Sequence, residues 1–99
     1  MIYLKTKEEW KDIMKKERVL VDFYADWCGP CKMLGEVLEE IDKEEEIEIV
    51  KVNTDNFLSL ARDFKIMTIP NIKIFENGKV VKEQTGFLTK DELLKWIKE

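Results

Sequence analysis

The sequence predicts an α/β fold, a central mixed sheet in the order βαβαβαββα with helices on both faces, and three observations predict it. "RVLVDFYA" (18–25) and "IEIVKVN" (47–53) are apolar on both alternating faces, as expected of strands buried on both sides. Between the strands, apolar residues recur at i, i+3, i+4 and i+7, the helical period. Towards the end, "NIKIF" (71–75) and "KVVKEQT" (79–85) flank Asn77-Gly78, a dipeptide suited to a type I′ hairpin turn. Strands separated by helices pair in parallel through crossovers, and the hairpin adds antiparallel strands, so the sheet is mixed.

The elements follow in order. "IYL" (2–4) is a short first strand. Thr6 opens T-K-E-E, a capping box with Glu9, ahead of a helix carrying Trp10, Ile13 and Met14 on one face. The strand at 18–25 follows. A second helix starts at about Gly29, with Leu34, Val37, Leu38 and Ile41 on its inner stripe. The acidic "EEEIE" after it is a solvated turn before the strand at 47–53. Phe57, Leu60, Ala61 and Phe64 repeat the helical spacing, and the hairpin comes next. Thr89 with Glu92 is a second capping box, opening a last helix with Leu93, Leu94, Trp96 and Ile97. No linker, repeat or low-complexity segment interrupts this alternation, so residues 1–99 are expected to form one domain.

Composition narrows the function. A net charge of −4 with no basic face argues against nucleic acid as a partner. "MIYLKTKEEWK" lacks the apolar core of a signal peptide, and no apolar run approaches the roughly 18 residues of a membrane span. A cytoplasmic monomer is expected, in a compartment where thiols are kept reduced. Fifteen of the 17 basic residues are Lys, 14 of the 21 acidic ones are Glu, and there is one Gln and no His. That bias fits a thermophilic source and an AT-rich genome equally.

Both cysteines sit in "YADWCGPCKM" (24–33), and three roles compete for them. A closed zinc site wants four Cys or His ligands, whereas this chain has two Cys and no His, so a site would need a second chain or carboxylates. A permanent staple across four residues closes a tiny loop and removes little unfolded-chain entropy. A redox couple explains the placement better. Cys28 starts a helix, where unpaired N–H groups and the dipole favour a thiolate. Pro30 in the first turn forfeits no intrahelical hydrogen bond, and Cys31 lies one turn along, close behind Cys28. The loop also follows the C-terminal end of the central strand, where sheets of this kind place their chemistry.

"VDFYADWCGPCKM", "KVNTDN", "IMTIPNIKIFENGK" and "GFLTKDEL" together closely resemble the thioredoxin family across essentially the whole chain. The resemblance implies the thioredoxin fold and a protein-disulfide reductase with no bound cofactor. It implies Cys28 as nucleophile, Cys31 as resolving thiol, Asp22 as buried proton-handling carboxylate and Lys51 as that carboxylate's neighbour. The two cysteines would form the redox disulfide. Ile69-Pro70 matches the segment whose cis-proline packs beside the active site, where the preceding backbone pairs with substrate. Trp27, Gly29, Pro30, Thr68 and Gly86 match positions lining the groove for the target polypeptide. The implied partners are disulfide-containing proteins and a thioredoxin reductase, either NADPH-flavin or ferredoxin-dependent.

Four positions depart from the family pattern. Gly35-Glu36 stands where many members have a helix-kinking proline, and Tyr24 where Trp is frequent. Thr68 replaces a frequent Gly or Ser, and Asn71 a frequent Thr. On the residues alone, Asp22 in "VLVDFY" has no easy structural reason, since an unpaired buried carboxylate costs several kcal/mol or stays protonated. Lys51 fits equally an exposed strand lysine and a partner of Asp22. Trp10, Trp96 and Phe64 read as packing. Pro70, entering a strand, points to a deliberate backbone geometry, a cis bond. Strong oxidants stabilise their thiolate with a nearby cation; this chain has no imidazole, which favours the reducing end of the range. Three rival readings stand beside the reductase. They are a thioredoxin-fold interaction module, a metal or iron–sulfur carrier bridging two chains, and a glutaredoxin-like or isomerase-like oxidoreductase.

Overall fold

Local signals account for where each element begins and ends in the computed structural model, which describes residues 1–99. Strand β1 is Ile2–Tyr3 and helix α1 is Lys7–Ile13. Thr6 caps α1 with both halves of the box in place: the Glu9 N–H donates to Thr6 Oγ1 at 3.1 Å and the Thr6 N–H to Glu9 Oε1 at 2.9 Å. Next come β2 (Arg18–Tyr24), α2 (Gly29–Lys43), β3 (Ile49–Asn53) and α3 (Leu58–Asp63). The hairpin β4 (Asn71–Glu76) and β5 (Lys79–Thr85) turns through Asn77 and Gly78, with φ of 51° and 82°. Two positive values are what a type I′ turn requires, and Asn-Gly adopts them at least steric cost. Helix α4 (Lys90–Lys98) carries the second capping box, Thr89 with Glu92.

The sheet order is β1-β3-β2-β4-β5. β1, β3 and β2 are parallel, whereas β4 runs antiparallel to β2 and β5 antiparallel to β4. β2 is therefore central, and alternation along it divides the core into two layers. Leu20 packs with Ile49, Ile72 and Ile74 against Leu34, Leu38 and Ile41 of α2 and Leu93 and Ile97 of α4. Val19, Val21 and Phe23 face the other way, with Val50, Val52, Phe75 and Ile13 of α1. On that side Trp10 and Phe64 stack edge-on with each other and with Phe75, at centroid distances of 5.4–5.7 Å, confirming both as packing. The expected α/β architecture is thus observed, with α2 and α4 on one face and α1 and α3 on the other.

Three details differ from expectation. β3 begins at Ile49, although Glu48 already accepts a hydrogen bond from the Leu20 N–H at 2.9 Å. Within the acidic turn, Ile47 is buried against the α2 layer, so only its glutamates are solvated. Helix α3 is short because Phe57 and Phe64 lie at its caps rather than inside it. Leu38, fully buried in the α2 layer, reports on this core. Leu38→Ala is expected to destabilise the fold by about 2–5 kcal/mol through lost transfer energy and the cavity left behind, read as a lower urea midpoint.

Candidate active site

The chain leaves β2 at Tyr24 and re-enters a helix at Gly29, which puts "ADWC" over the C-terminal edge of the parallel strands. This loop is tied to the one after β3. The Thr54 N–H donates to the Tyr24 carbonyl at 2.8 Å, Asn53 Nδ2 to Asp26 Oδ2 at 3.3 Å, and Trp27 Nε1 to Asp55 Oδ2 at 3.0 Å. Asn53 Oδ1 in turn accepts the Asp55 N–H at 2.9 Å. Sequence reasoning missed this Asn53–Asp26–Asp55 lattice; the Asn-Thr-Asp run ending a strand, prone to side-chain-to-backbone turns, was the available signal.

Cys28 occupies the N-cap of α2, and its sulfur accepts the Cys31 N–H at 3.2 Å. A sulfur there faces the unpaired amides and positive end of a 15-residue helix, the setting that favours a thiolate. Cys31 heads the buried stripe continued by Leu34, Leu38 and Ile41, so it points towards the sheet. The two sulfurs form a disulfide with Cα atoms 5.2 Å apart. Both are buried in a small cluster with Ala25, bordered by Tyr24 and Ile69.

The Ile69-Pro70 bond is cis, as expected, and the Ile69 carbonyl oxygen lies 4.0 Å from Cys28 Sγ. Gly86, at φ 83°, donates its N–H to the Pro70 carbonyl at 2.9 Å and so joins the end of β5 to this segment. Trp27 is 72% exposed beside the disulfide and belongs to neither core layer. Gly29, Pro30 and Thr68 are exposed, and Ile69 and Gly86 are half-buried. Of these, Trp27, Gly29 and Pro30 adjoin the cysteines in the chain, and Ile69 packs against their cluster.

Beneath the loop, parallel register sets Asp22 of β2 opposite Lys51 of β3, both facing α2. Lys51 Nζ donates to Asp22 Oδ2 at 2.7 Å, with the side chains 5% and 0% exposed. That settles the question the residues left open for Lys51. The second carboxylate oxygen, Oδ1, is buried with no partner. Burial pushes the Asp22 carboxyl above its ordinary range, and the charge and hydrogen bond of Lys51 pull the other way without cancelling it. Lys51 also lies over the Tyr24 ring, 4.4 Å from its centroid. The departure from Trp at position 24 therefore keeps an aromatic face for the ammonium. Burial, then the charge of Asp26, raises the Tyr24 phenol.

A second buried lysine went unanticipated. Lys73 of β4, 3% exposed, reaches Glu83 Oε1 of β5 at 3.3 Å. The same oxygen accepts from Asn71 Nδ2 at 2.9 Å, and these contacts hold the Glu83 carboxyl low, the Asn71 bond foremost. Asn71, the departure next to Pro70, thus fastens the start of β4 to β5.

Comparison with known proteins agrees with this geometry. The thioredoxin family profile matches residues 1–99. The thioredoxin of Mycoplasmoides gallisepticum is 35% identical over 100 residues, covering 99% of this chain and all of that one. A mutant thioredoxin from Halobacterium salinarum superposes with a TM-score of 0.89 at 33% identity, covering 98% of this chain and 87% of the other. The oxidised thioredoxin of Plasmodium falciparum superposes with a TM-score of 0.88 at 29% identity, covering 99% and 95%.

Proposed function

Because the chain belongs to the thioredoxin family, and is with it a thiol–disulfide oxidoreductase acting on protein disulfides, we propose that Cys28 attacks the target, Cys31 resolves the intermediate and Asp22 is the base. The observation that carries this assignment is the asymmetry of the pair. Cys28 caps the helix N-terminus and receives an amide N–H, while Cys31 is turned inward to the side where Asp22 lies.

In the first step the Cys28 thiolate attacks one sulfur of the target disulfide, and the other leaves as a thiolate that takes up a proton. In the second, Cys31 gives its proton to Asp22 and attacks Cys28 Sγ; the Cys28–target bond breaks and the reduced target departs. The target gains two electrons, and the cysteine pair becomes the disulfide seen here. Lys51 holds the carboxylate in place. Trp27, Gly29, Pro30, Thr68, Ile69 and Gly86 border the approach to Cys28, and the backbone beside cis-Pro70 offers an extended target segment its hydrogen bonds. A thioredoxin reductase restores the dithiol. That requirement supports a thiol-reducing compartment such as the cytoplasm, with the protein working as a monomer.

The test is insulin reduction with dithiothreitol as electron source. The protein is expected to bring forward the precipitation of insulin chains well ahead of dithiothreitol alone, and an unchanged onset would overturn the reading.

A further inference from the structure

Arg62 and Lys65, at the end of α3, are exposed and enter none of the chain's ion pairs. With Ala61, Ile66 and Met67 they line an open cleft of about 490 Å³. Met67, 92% exposed, is the most exposed of the large apolar side chains. Asp63, between the two cations in sequence, is no part of the cleft. The end of the helix fixes this arrangement. The Ile66 N–H donates to the Ala61 carbonyl at 2.9 Å and the Lys65 N–H to the Arg62 carbonyl at 3.0 Å, the two bonds that close a helix on a left-handed residue. That residue is Lys65, at φ 53°. Glycine takes this conformation without steric cost, so lysine here carries backbone strain and contributes a charge. The cleft also continues the groove. Met67 precedes Thr68 and Ile69 in the chain, and the Ile69 carbonyl oxygen lies 4.0 Å from Cys28 Sγ. An extended target advances roughly 3.3 Å per residue, so it meets the cleft about two to four residues from the cysteine attacked by Cys28.

We propose that this cleft is a specificity subsite for the exchange reaction, taking a segment of the target polypeptide in which an aliphatic residue and carboxylates lie beside the disulfide cysteine. It extends the groove and rests on Cys28 as the attacking thiol. Two features choose this occupant. Ala61, Ile66 and Met67 offer an aliphatic side chain an apolar surface, and methionine, unbranched and polarizable, adapts to side chains of different shape. Beside them, in a protein of net charge −4, two cations make a local exception to its general repulsion of acidic chains. Neither cation has a carboxylate partner, so those of a target displace no existing pair. A second copy of this chain competes for the cleft through its acidic Glu44–Glu46 turn. Glu44 and Glu46 are already paired with Lys90 and Lys98, which favours the target.

The probes are symmetric disulfide dimers of three short peptides. They differ only about two to four residues from the cysteine, on either side, where they carry Leu-Glu-Glu, Leu-Gln-Gln or Ser-Gln-Gln. The second-order rate of their reduction by the pre-reduced protein is measured at low and high salt. Wild type is expected to reduce the Leu-Glu-Glu dimer about three- to tenfold faster than the Leu-Gln-Gln dimer at low salt, the scale of two exposed charge pairs. In about 1 M salt the preference should vanish. Lys65→Gly suits the left-handed backbone and so folds. In that variant and in Arg62→Gln the preference should fall towards one. Lys79→Gln, which removes the same charge at the hairpin end of β5, should keep it. Met67→Ala should narrow the preference for Leu-Gln-Gln over Ser-Gln-Gln. Each preference is a ratio within one variant, so a general loss of activity cancels. Equal ratios in wild type and Lys65→Gly overturn the subsite, as does a preference that Lys79→Gln removes equally, which marks overall charge. If wild type sediments as a dimer that Lys65→Gly dissociates, the cleft holds a second copy and the inference also falls. Peptides reduced without discrimination remove the subsite and leave the exchange activity standing; peptides not reduced at all remove both.

Discussion

Cys31→Ser is expected to accumulate covalent complexes with target proteins, whereas Cys28→Ser accumulates almost none. The serine at 31 leaves the Cys28 sulfur at the helix N-terminus, so attack on a target disulfide proceeds as before. What is lost is the inward thiol that displaces the target, and the mixed disulfide persists until an external thiol arrives. In Cys28→Ser the remaining thiol is 2% exposed and turned towards the sheet, where no target polypeptide reaches it. Insulin reduction in that variant should fall on the order of 10⁴-fold or more, the scale of removing an enzyme's nucleophile, leaving dithiothreitol's own rate. Non-reducing electrophoresis after incubation with a disulfide-containing target checks the first outcome. Equal trapping by the two variants would reverse or abolish the assignment of roles.

Asp22→Asn should be both more stable than wild type at pH 8 and slower in the resolving step. The carboxyl is held above its ordinary range by burial, even with Lys51 at 2.7 Å. A raised folded value means that stability is fully present below the unfolded value, about 3.9. It is lost as pH climbs from there through the folded value, because the unfolded chain releases its proton first. At pH 8 the folded protein therefore carries a penalty that asparagine removes, while the amide oxygen still accepts from Lys51. The gain is limited by Lys51, whose buried ammonium keeps the amide oxygen as acceptor but loses its counter-charge. Near pH 3.5 the advantage should vanish, since both chains are then neutral at this position. Losing the base should slow resolution by about 10²–10⁴-fold. Urea denaturation at the two pH values and single-turnover resolution check both halves, and a variant matching wild type in both refutes the base.

What the sequence discloses and what it withholds divide along the range of the interaction. The Thr6–Glu9 and Thr89–Glu92 boxes and the Asn77-Gly78 turn were readable because each is decided within four residues. The placement of Cys28 at a helix start follows from equally local signals, Pro30 above all. Lys51 could not be placed because β3 is apolar on both faces, so parity along the strand says nothing about which way it points. Only the register of β3 against β2, fixed by packing 29 residues apart in the chain, brings it to Asp22. Lys73 is the same case, buried by the pairing of β4 with β5. The boundaries of β3 and α3 differ because Ile47 and Phe57, buried, and Phe64, partly buried, pack against the core without belonging to the strand or helix beside them.

The central position of β2 orders the molecule in time as well as in space. Peptide groups of β2 are hydrogen-bonded on both sides, by β3 and by β4, and every residue from Val19 to Phe23 is buried. β1 has two residues and β5 is an exposed edge, so local opening begins at the two ends of the sheet and reaches β2 only when the whole fold is lost. The cysteine loop springs from the last segment to let go. Fraying at the periphery therefore leaves the spacing of the two sulfurs untouched, and the disulfide can be made and broken many times between rare unfolding events. Adjustment to differently shaped targets must then come from the locally unfolded or flexible segments that those targets offer.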